Sequence, residues 1–306
     1  MTETGIIEWL MQGDVAIQFQ SQRDLLGRER PELQDRIETE GWGARFLSYR
    51  KPSGHWGRGF YQPKWTSSHY TLLDLRLLQL PHSNAAARET IELIAANHKS
   101  ADGGINPGKT IEQSDVCVNG MFLHYACYFG IEERSLHSIV DFVLDQRMPD
   151  GGFNCKKNRA GARHSSMHST ISVLEGMLEY ERGGYTYRLE EFQSSAEAAR
   201  EFLLMHQLYL SDRTGDIIDP KFLVLSFPGR WYYDILRALD YFRDACIPWD
   251  ERMQPAMEVL LKKRQRDGRW PLQARHPGQT YFELEKPGQP SRWNTLRALR
   301  VINFYK

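Results

Sequence analysis

The sequence predicts an all-α fold, an (α/α)6 toroid (barrel) of six helix pairs with inner parallel helices around a central cavity. Three observations predict it. One short phrase recurs, as "RKPSGHWGRG" at 50–59, "KSADGGINPG" at 99–108, "DQRMPDGGFN" at 145–154 and "KRQRDGRWPL" at 263–272. Its apolar residues Trp56, Ile105, Phe153 and Trp270 are spaced by 49, 48 and 117 residues, which makes the period about 50 and places a degenerate copy near "SDRTGDIID" at 211–219. An amphipathic helical pattern precedes each phrase, and a second, more evenly apolar helical pattern follows it.

The elements follow in order. "TGIIEWLMQ" and "DVAIQFQSQRDLL" form a short leading pair. The outer helices are "PELQDRIETEGWGARFLSYR", "SNAAARETIELIAANH", "ERSLHSIVDFVLDQ", "SSAEAAREFLLMHQ" and "DERMQPAMEVLLKKRQ". In the third of these, Leu136, Ile139, Val140, Val143 and Leu144 recur at three- and four-residue steps with polar residues opposite, and Ser or Asp often opens such a run as a cap. The inner helices are "SSHYTLLDLRLLQL", "DVCVNGMFLHYACYF", "SSMHSTISVLEGMLEY", "RWYYDILRALDYF" and "RWNTLRALRVINFY", which carry few charges before their C-terminal ends and read as buried on two sides. The repeat units are therefore about 1–27, 31–80, 83–130, 132–180, 192–244 and 250–304 of a single domain spanning 1–306. Asp-Gly-Gly supplies the left-handed turn ending each outer helix, and the residue after it wedges between units.

Composition excludes several functions. Lys+Arg and Asp+Glu both total 39, and no basic block with interleaved aromatics occurs, so nucleic acid is not an expected partner. No run of about 18 apolar residues exists to span a membrane. The opening "MTETGIIEWLMQGDVAIQFQ" lacks the pattern of a signal peptide. The four cysteines, Cys117, Cys127, Cys155 and Cys246, form no CxxC, and are expected as reduced thiols of a cytoplasmic protein.

Gln146 with Asp150-Gly151-Gly152-Phe153, and Gln265 with Asp267-Gly268-Arg269-Trp270, resemble the QW-type repeats of squalene–hopene cyclases. The same two-helix repeat builds the β subunits of protein prenyltransferases, so the chain resembles this terpenoid cyclase and prenyltransferase superfamily over about residues 40–306. The resemblance implies the toroid but no single activity. The Asp-x-Asp-Asp acid of triterpene cyclases has no counterpart, since no Asp-Asp pair occurs, and the Asp-rich diphosphate motif of class I terpene synthases is missing too. Squalene cyclisation is therefore not expected.

His69, Cys117, His168, Trp231 or Tyr232, and Trp293 fall at equivalent places at the starts of inner helices. Helices pointing one way would gather them at one mouth of the cavity. Trp65, Tyr70, Arg230, Asp234 and Arg292 complete the expected cavity lining. Prenyltransferases hold zinc with an Asp-x-Cys at one inner-helix start and a His at the next. By that resemblance Asp115, Cys117 and His168 are the candidate Zn²⁺ ligands, with His69 as a further one, a donor set that suits a tetrahedral ion with one place open. The family's diphosphate-binding Arg and Lys are replaced by Lys109 and Glu112, and Lys64, Arg163, Arg230 and Arg292 are the alternative cations. His164 is a weaker metal candidate, and Cys155 reads as loop packing. The acids Asp74, Glu175 and Asp234 are expected to pair with Arg76, Arg237 or Arg297.

Three functions compete. The first is a prenyltransferase- or terpene-cyclase-like protein whose aromatic cavity takes an isoprenoid-like or other small apolar molecule or lipid, with cation–π attraction available to a carbocation. The second is a carbohydrate-active (α/α)6 enzyme, which needs two carboxylates about 5–9.5 Å apart. The third is a non-catalytic toroid that binds a ligand or a protein.

Overall fold

The computed structural model describes residues 3–108 and 112–306, without the side chains of Glu3, Asn158 and Arg159. Lys109 thus lies outside the described residues. The helices are α1 (Glu3–Met11), α2 (Val15–Leu26), α3 (Pro31–Arg36), α4 (Gly41–Ser48), α5 (Ser68–Leu77), α6 (Ala85–Asn97) and α7 (Val116–Tyr128). They continue as α8 (His137–Asp145), α9 (Lys156–Ala160), α10 (Met167–Arg182), α11 (Leu189–Met205), α12 (Ile235–Asp244), α13 (Gln254–Lys262) and α14 (Arg292–Phe304). Among the described residues there is no strand, only isolated bridges such as Lys99 with Ile105, so the all-α class holds. No helix is long and apolar enough to cross a membrane among the described residues.

Every stretch read as helical contains a helix, and two of the changes of boundary have a visible cause. The stretch 31–50 is two helices, α3 and α4, because the Asp14 carboxylate accepts a hydrogen bond from the Trp42 amide at 2.7 Å and Gly41 turns with φ of 63°. The second concerns α12. Asp234 caps it, its carboxylate accepting from the Arg237 amide at 2.8 Å, so Trp231 and Tyr232 lie in the preceding loop and not at a helix start. Asp14 and Asn84 likewise cap α2 and α6 with side-chain oxygens.

The repeated phrase is a turn with a fixed conformation. Gly54, Gly103, Gly151 and Gly268 have φ of 81°, 86°, 92° and 87°, and the degenerate copy keeps Gly215 at 74°. A Cβ is strained in that region, which accounts for glycine at each copy. Trp56, Ile105, Phe153 and Trp270 are fully buried. Each of their backbone amides donates to a polar side chain in the first turn of α5, α7, α10 or α14: Trp56 to Ser68 at 3.0 Å, Ile105 to Asn119 at 2.6 Å, Phe153 to Thr170 at 3.0 Å and Trp270 to Thr295 at 3.0 Å. A buried wedge thus has its peptide group satisfied by the helix that it precedes. In two copies the phrase's Asp adds a second tie, Asp102 to the Ser114 amide at 2.7 Å and Asp150 to the Ser165 amide at 2.8 Å.

The chain divides into two compact units. The first comprises Met1–Tyr49, Asp74–Pro81 and His206–Lys306. In it α14 packs against α2 and α12, and charges are buried among these helices. Asp240 accepts from Arg297 at 3.0 Å and Arg300 at 2.7 Å, and Arg300 also reaches Asp24 at 2.8 Å and Gln20 at 3.2 Å. Those arginines hold the Asp240 carboxyl well below the usual carboxylate range despite its burial. The second unit comprises Arg50–Leu73 and His82–Met205. Its central contact is α7 against α10, which touch through glycines. A Cβ on Gly176 would sit 2.4 Å from the Gly120 carbonyl oxygen, and one on Gly120 would sit 2.6 Å from that of Ser172. Only the missing side chains let these backbones approach so closely.

Candidate functional site

His69, Cys117, His168 and Trp293 each occupy the second residue of their helices, α5, α7, α10 and α14. Their surroundings differ sharply, and the residues around His69 form the most distinctive group.

The loop before α5 sets up that group. The Ser68 and His69 amides, which have no partner within the helix, donate to the carbonyls of Gly59 at 3.1 Å and Phe60 at 2.9 Å. This folds the 59–61 backbone over the helix start and brings Phe60 and Tyr61 against His69. Ring centroids of Tyr70, Tyr61, Phe60 and Tyr125 lie 4.9, 5.3, 5.4 and 5.6 Å from the imidazole, and Trp65 packs edge-on to Tyr70 at 4.7 Å. Tyr61 and Tyr70 share a hydroxyl–hydroxyl hydrogen bond of 3.1 Å. Tyr61 is half-buried, whereas His69, Tyr70, Trp65 and Tyr125 are buried. His69 Nδ1 is 3.0 Å from the Tyr125 hydroxyl, and His69 Nε2 is buried with no hydrogen-bond partner. Burial, reinforced by the Lys64 charge, pushes the imidazole pKa down to about 3, so His69 is neutral at physiological pH. At the edge of the group, Lys64 is exposed and lies 5.0 Å from the Trp65 ring, and the Asp115 carboxylate acts on its charge. A neutral imidazole ringed by aromatic faces can present one hydrogen bond inside an otherwise apolar surface. It cannot serve as a strong acid near neutral pH.

Cys117 departs from its expected role. It is joined to Cys155 in a disulfide, with Cα atoms 6.0 Å apart, which corrects the reading of these two cysteines as reduced thiols and of Cys155 as loop packing. The Ser169 hydroxyl also donates to the Cys155 sulfur at 3.3 Å. Sequence spacing held no sign of this pair, because 38 residues separate the two and they meet where α7 packs on α10, to which Ser169 ties Cys155. Cys127 is a buried thiol, its pKa pushed up by burial, and Cys246 is an exposed one. Asp115 precedes α7 without capping it through its side chain, His168 is half-buried and His164 is exposed. Among the described residues no group of three or more His, Cys, Asp or Glu is arranged to hold a metal ion. With its sulfur in the disulfide, Cys117 offers no thiolate, so zinc on Asp115, Cys117 and His168 would first require that bond to be reduced.

The remaining candidates belong to the first unit. Arg230, with φ of 57°, forms a buried ion pair with Asp74, so the partner of Asp74 is neither Arg76, Arg237 nor Arg297 as expected. Burial pushes the Asp74 carboxyl up to about 6, against the pull of Arg230. Trp231 stacks on Tyr232 at 3.9 Å and Tyr232 on His276 at 3.8 Å. Asp234, raised by burial, is committed to capping α12. Trp293 is fully buried and stacks on Phe227 at 4.8 Å. Arg292 points to α1, donating to the Trp9 carbonyl at 3.0 Å with its guanidinium 4.6 Å from the Trp9 ring. Sequence reasoning missed Phe60, Tyr61, Tyr125, Phe227 and His276. Phe60 and Tyr61 were within reach, since "GFYQPKW" concentrates aromatics just before an inner helix.

No protein-family model matches the sequence, and no curated protein matches it. Among solved structures the chain is similar to a type II terpene cyclase from Scytonema in complex with its substrate geranylgeranyl dihydroxybenzoate, with a TM-score of 0.41, 14% identity, and coverage of 84% of this chain and 70% of that one.

Proposed function

We propose that the protein is a prenyltransferase- or terpene-cyclase-like toroid that binds an isoprenoid-like apolar molecule against the aromatic group around His69. One observation carries this reading: four aromatic residues, Phe60, Tyr61, Tyr70 and Tyr125, surround a neutral imidazole with an unfilled hydrogen-bonding position, and Trp65 packs on Tyr70. Such a surface suits a flexible hydrocarbon and disfavours a sugar, whose many hydroxyls need a comparable number of polar partners. Two of the four acids a glycosidase could use, out of Asp115, Asp74, Glu175 and Asp234, are otherwise engaged, Asp74 with Arg230 and Asp234 with an α12 amide. Six helix pairs closing into a ring belong to the same proposal. The missing Asp-Asp acid excludes squalene cyclisation from it.

Titration calorimetry with farnesol tests the proposal. Saturable binding is expected, weakened about tenfold or more by Trp65→Ala, which removes one large apolar face. Wild-type protein that binds maltohexaose and shows no heat with farnesol would overturn it.

A further inference from the structure

The unfilled nitrogen of His69 says more about the ligand than that it is apolar. Tyr125 is fully buried, and burial keeps its phenol protonated by raising its pKa far above the ordinary value. Its hydroxyl faces His69 Nδ1 at 3.0 Å. A phenol is a more acidic donor than a neutral imidazole N–H, so the proton of this bond belongs to Tyr125 and Nδ1 is the acceptor. A neutral imidazole with Nδ1 unprotonated carries its single hydrogen on Nε2. That N–H is the one left buried and without a partner. Leaving a buried donor unmade is costly, and native proteins rarely do so without a use for it. The rings around it include three tyrosines, yet none of their hydroxyls comes within hydrogen-bond distance of Nε2, and the rings of Phe60 and Tyr70, nearly perpendicular to the imidazole at 88° each, offer only a weak π acceptor.

We infer that His69 Nε2–H donates a hydrogen bond to an uncharged oxygen of the bound molecule, so that the ligand is an oxygenated isoprenoid and not a plain hydrocarbon. This rests on the reading of the aromatic group as an apolar ligand site and adds a polar determinant to it. The required oxygen is an acceptor only. An alcohol, an ether and a carbonyl all satisfy it, whereas an alkene or an ammonium group does not. Buried neutral-to-neutral hydrogen bonds of this kind discriminate by about tenfold.

Two measurements test the inference. Long-range ¹⁵N–¹H correlation spectra of histidine-labelled protein should show the His69 resonance with Nε2 protonated and Nδ1 not, and the opposite tautomer would overturn the inference. Calorimetry should then compare farnesol, farnesyl methyl ether and farnesene. The alcohol and the ether are expected to bind alike and about tenfold more tightly than the hydrocarbon. His69→Phe should abolish the preference, and His69→Gln, whose amide N–H reaches the same place as Nε2–H, should restore part of it. Equal binding of all three to wild-type protein would end the inference and leave the apolar site standing. Preference for the alcohol over both others would show that Nε2 accepts, which also ends it. No binding of any of the three removes the site and the inference together.

Discussion

At the scale of single residues, two buried titrating groups give the protein opposite pH dependences. His69 has a folded-state pKa of about 3, below its ordinary value of 6.5, so its stabilisation is complete above pH 6.5 and is lost as pH falls towards 3. Asp74 is the reverse. With a folded-state pKa of about 6 against an ordinary 3.8, its contribution is complete below 3.8 and is lost as pH rises through 6. Between these limits the two slopes oppose each other, and a wild-type stability profile conceals both. Variants separate them. His69→Phe should gain about 2 kcal/mol over wild type on moving from pH 8 to pH 5, read as the change in the difference between their urea unfolding free energies. A difference that stays constant with pH would mean that the imidazole is not buried in neutral form. The Asp74–Arg230 pair also shows a limit of reading from sequence. Both residues were visible as candidates, yet 156 positions separate them, and an arginine in the left-handed backbone region leaves no mark in composition or periodicity.

Among the elements, the α7–α10 contact and the Cys117–Cys155 bond are the two features most open to test. Gly176→Val should destabilise the protein by about 1–3 kcal/mol or more, because its added carbons meet the Gly120 carbonyl and not a side chain that can move aside. The substitution favours neither helix enough to offset this, since the propensity difference is at most about 1 kcal/mol. An unfolding midpoint unchanged in urea would contradict the packing. For the disulfide, mass spectrometry of denatured, unreduced protein after maleimide labelling should count two labels, on Cys127 and Cys246, and four after reduction. Reduction should lower stability by about 2–4 kcal/mol. Four labels without reduction would return Cys117 to the free thiols. The helices themselves were legible because three- and four-residue apolar spacing and the Asp-Gly-Gly turn are local signals. The amide of each wedge finds its partner 12, 14, 17 or 25 residues on, at Ser68, Asn119, Thr170 or Thr295, and such variable spacing hides the motif from any fixed pattern. The split at Gly41 was hidden for the same reason, since it depends on Asp14, the cap of α2.

For the molecule as a whole, the recurring phrase organises architecture, and the proposed site lies outside it. Four copies bury their wedge and keep the glycine, while the copy at 211–219 keeps Gly215 and exposes Ile217. The aromatics around His69 belong to no such repeat. They cluster in the 60–70 segment of one unit and at Tyr125, around an imidazole nitrogen without a hydrogen-bond partner. Photoaffinity labelling with a diazirine-bearing farnesol analogue shows whether this group receives an apolar molecule. Peptide mapping should place the adducts within residues 60–70 and 116–128, with labelling suppressed by excess farnesol. Adducts confined to other segments, or labelling that farnesol does not suppress, would contradict the account.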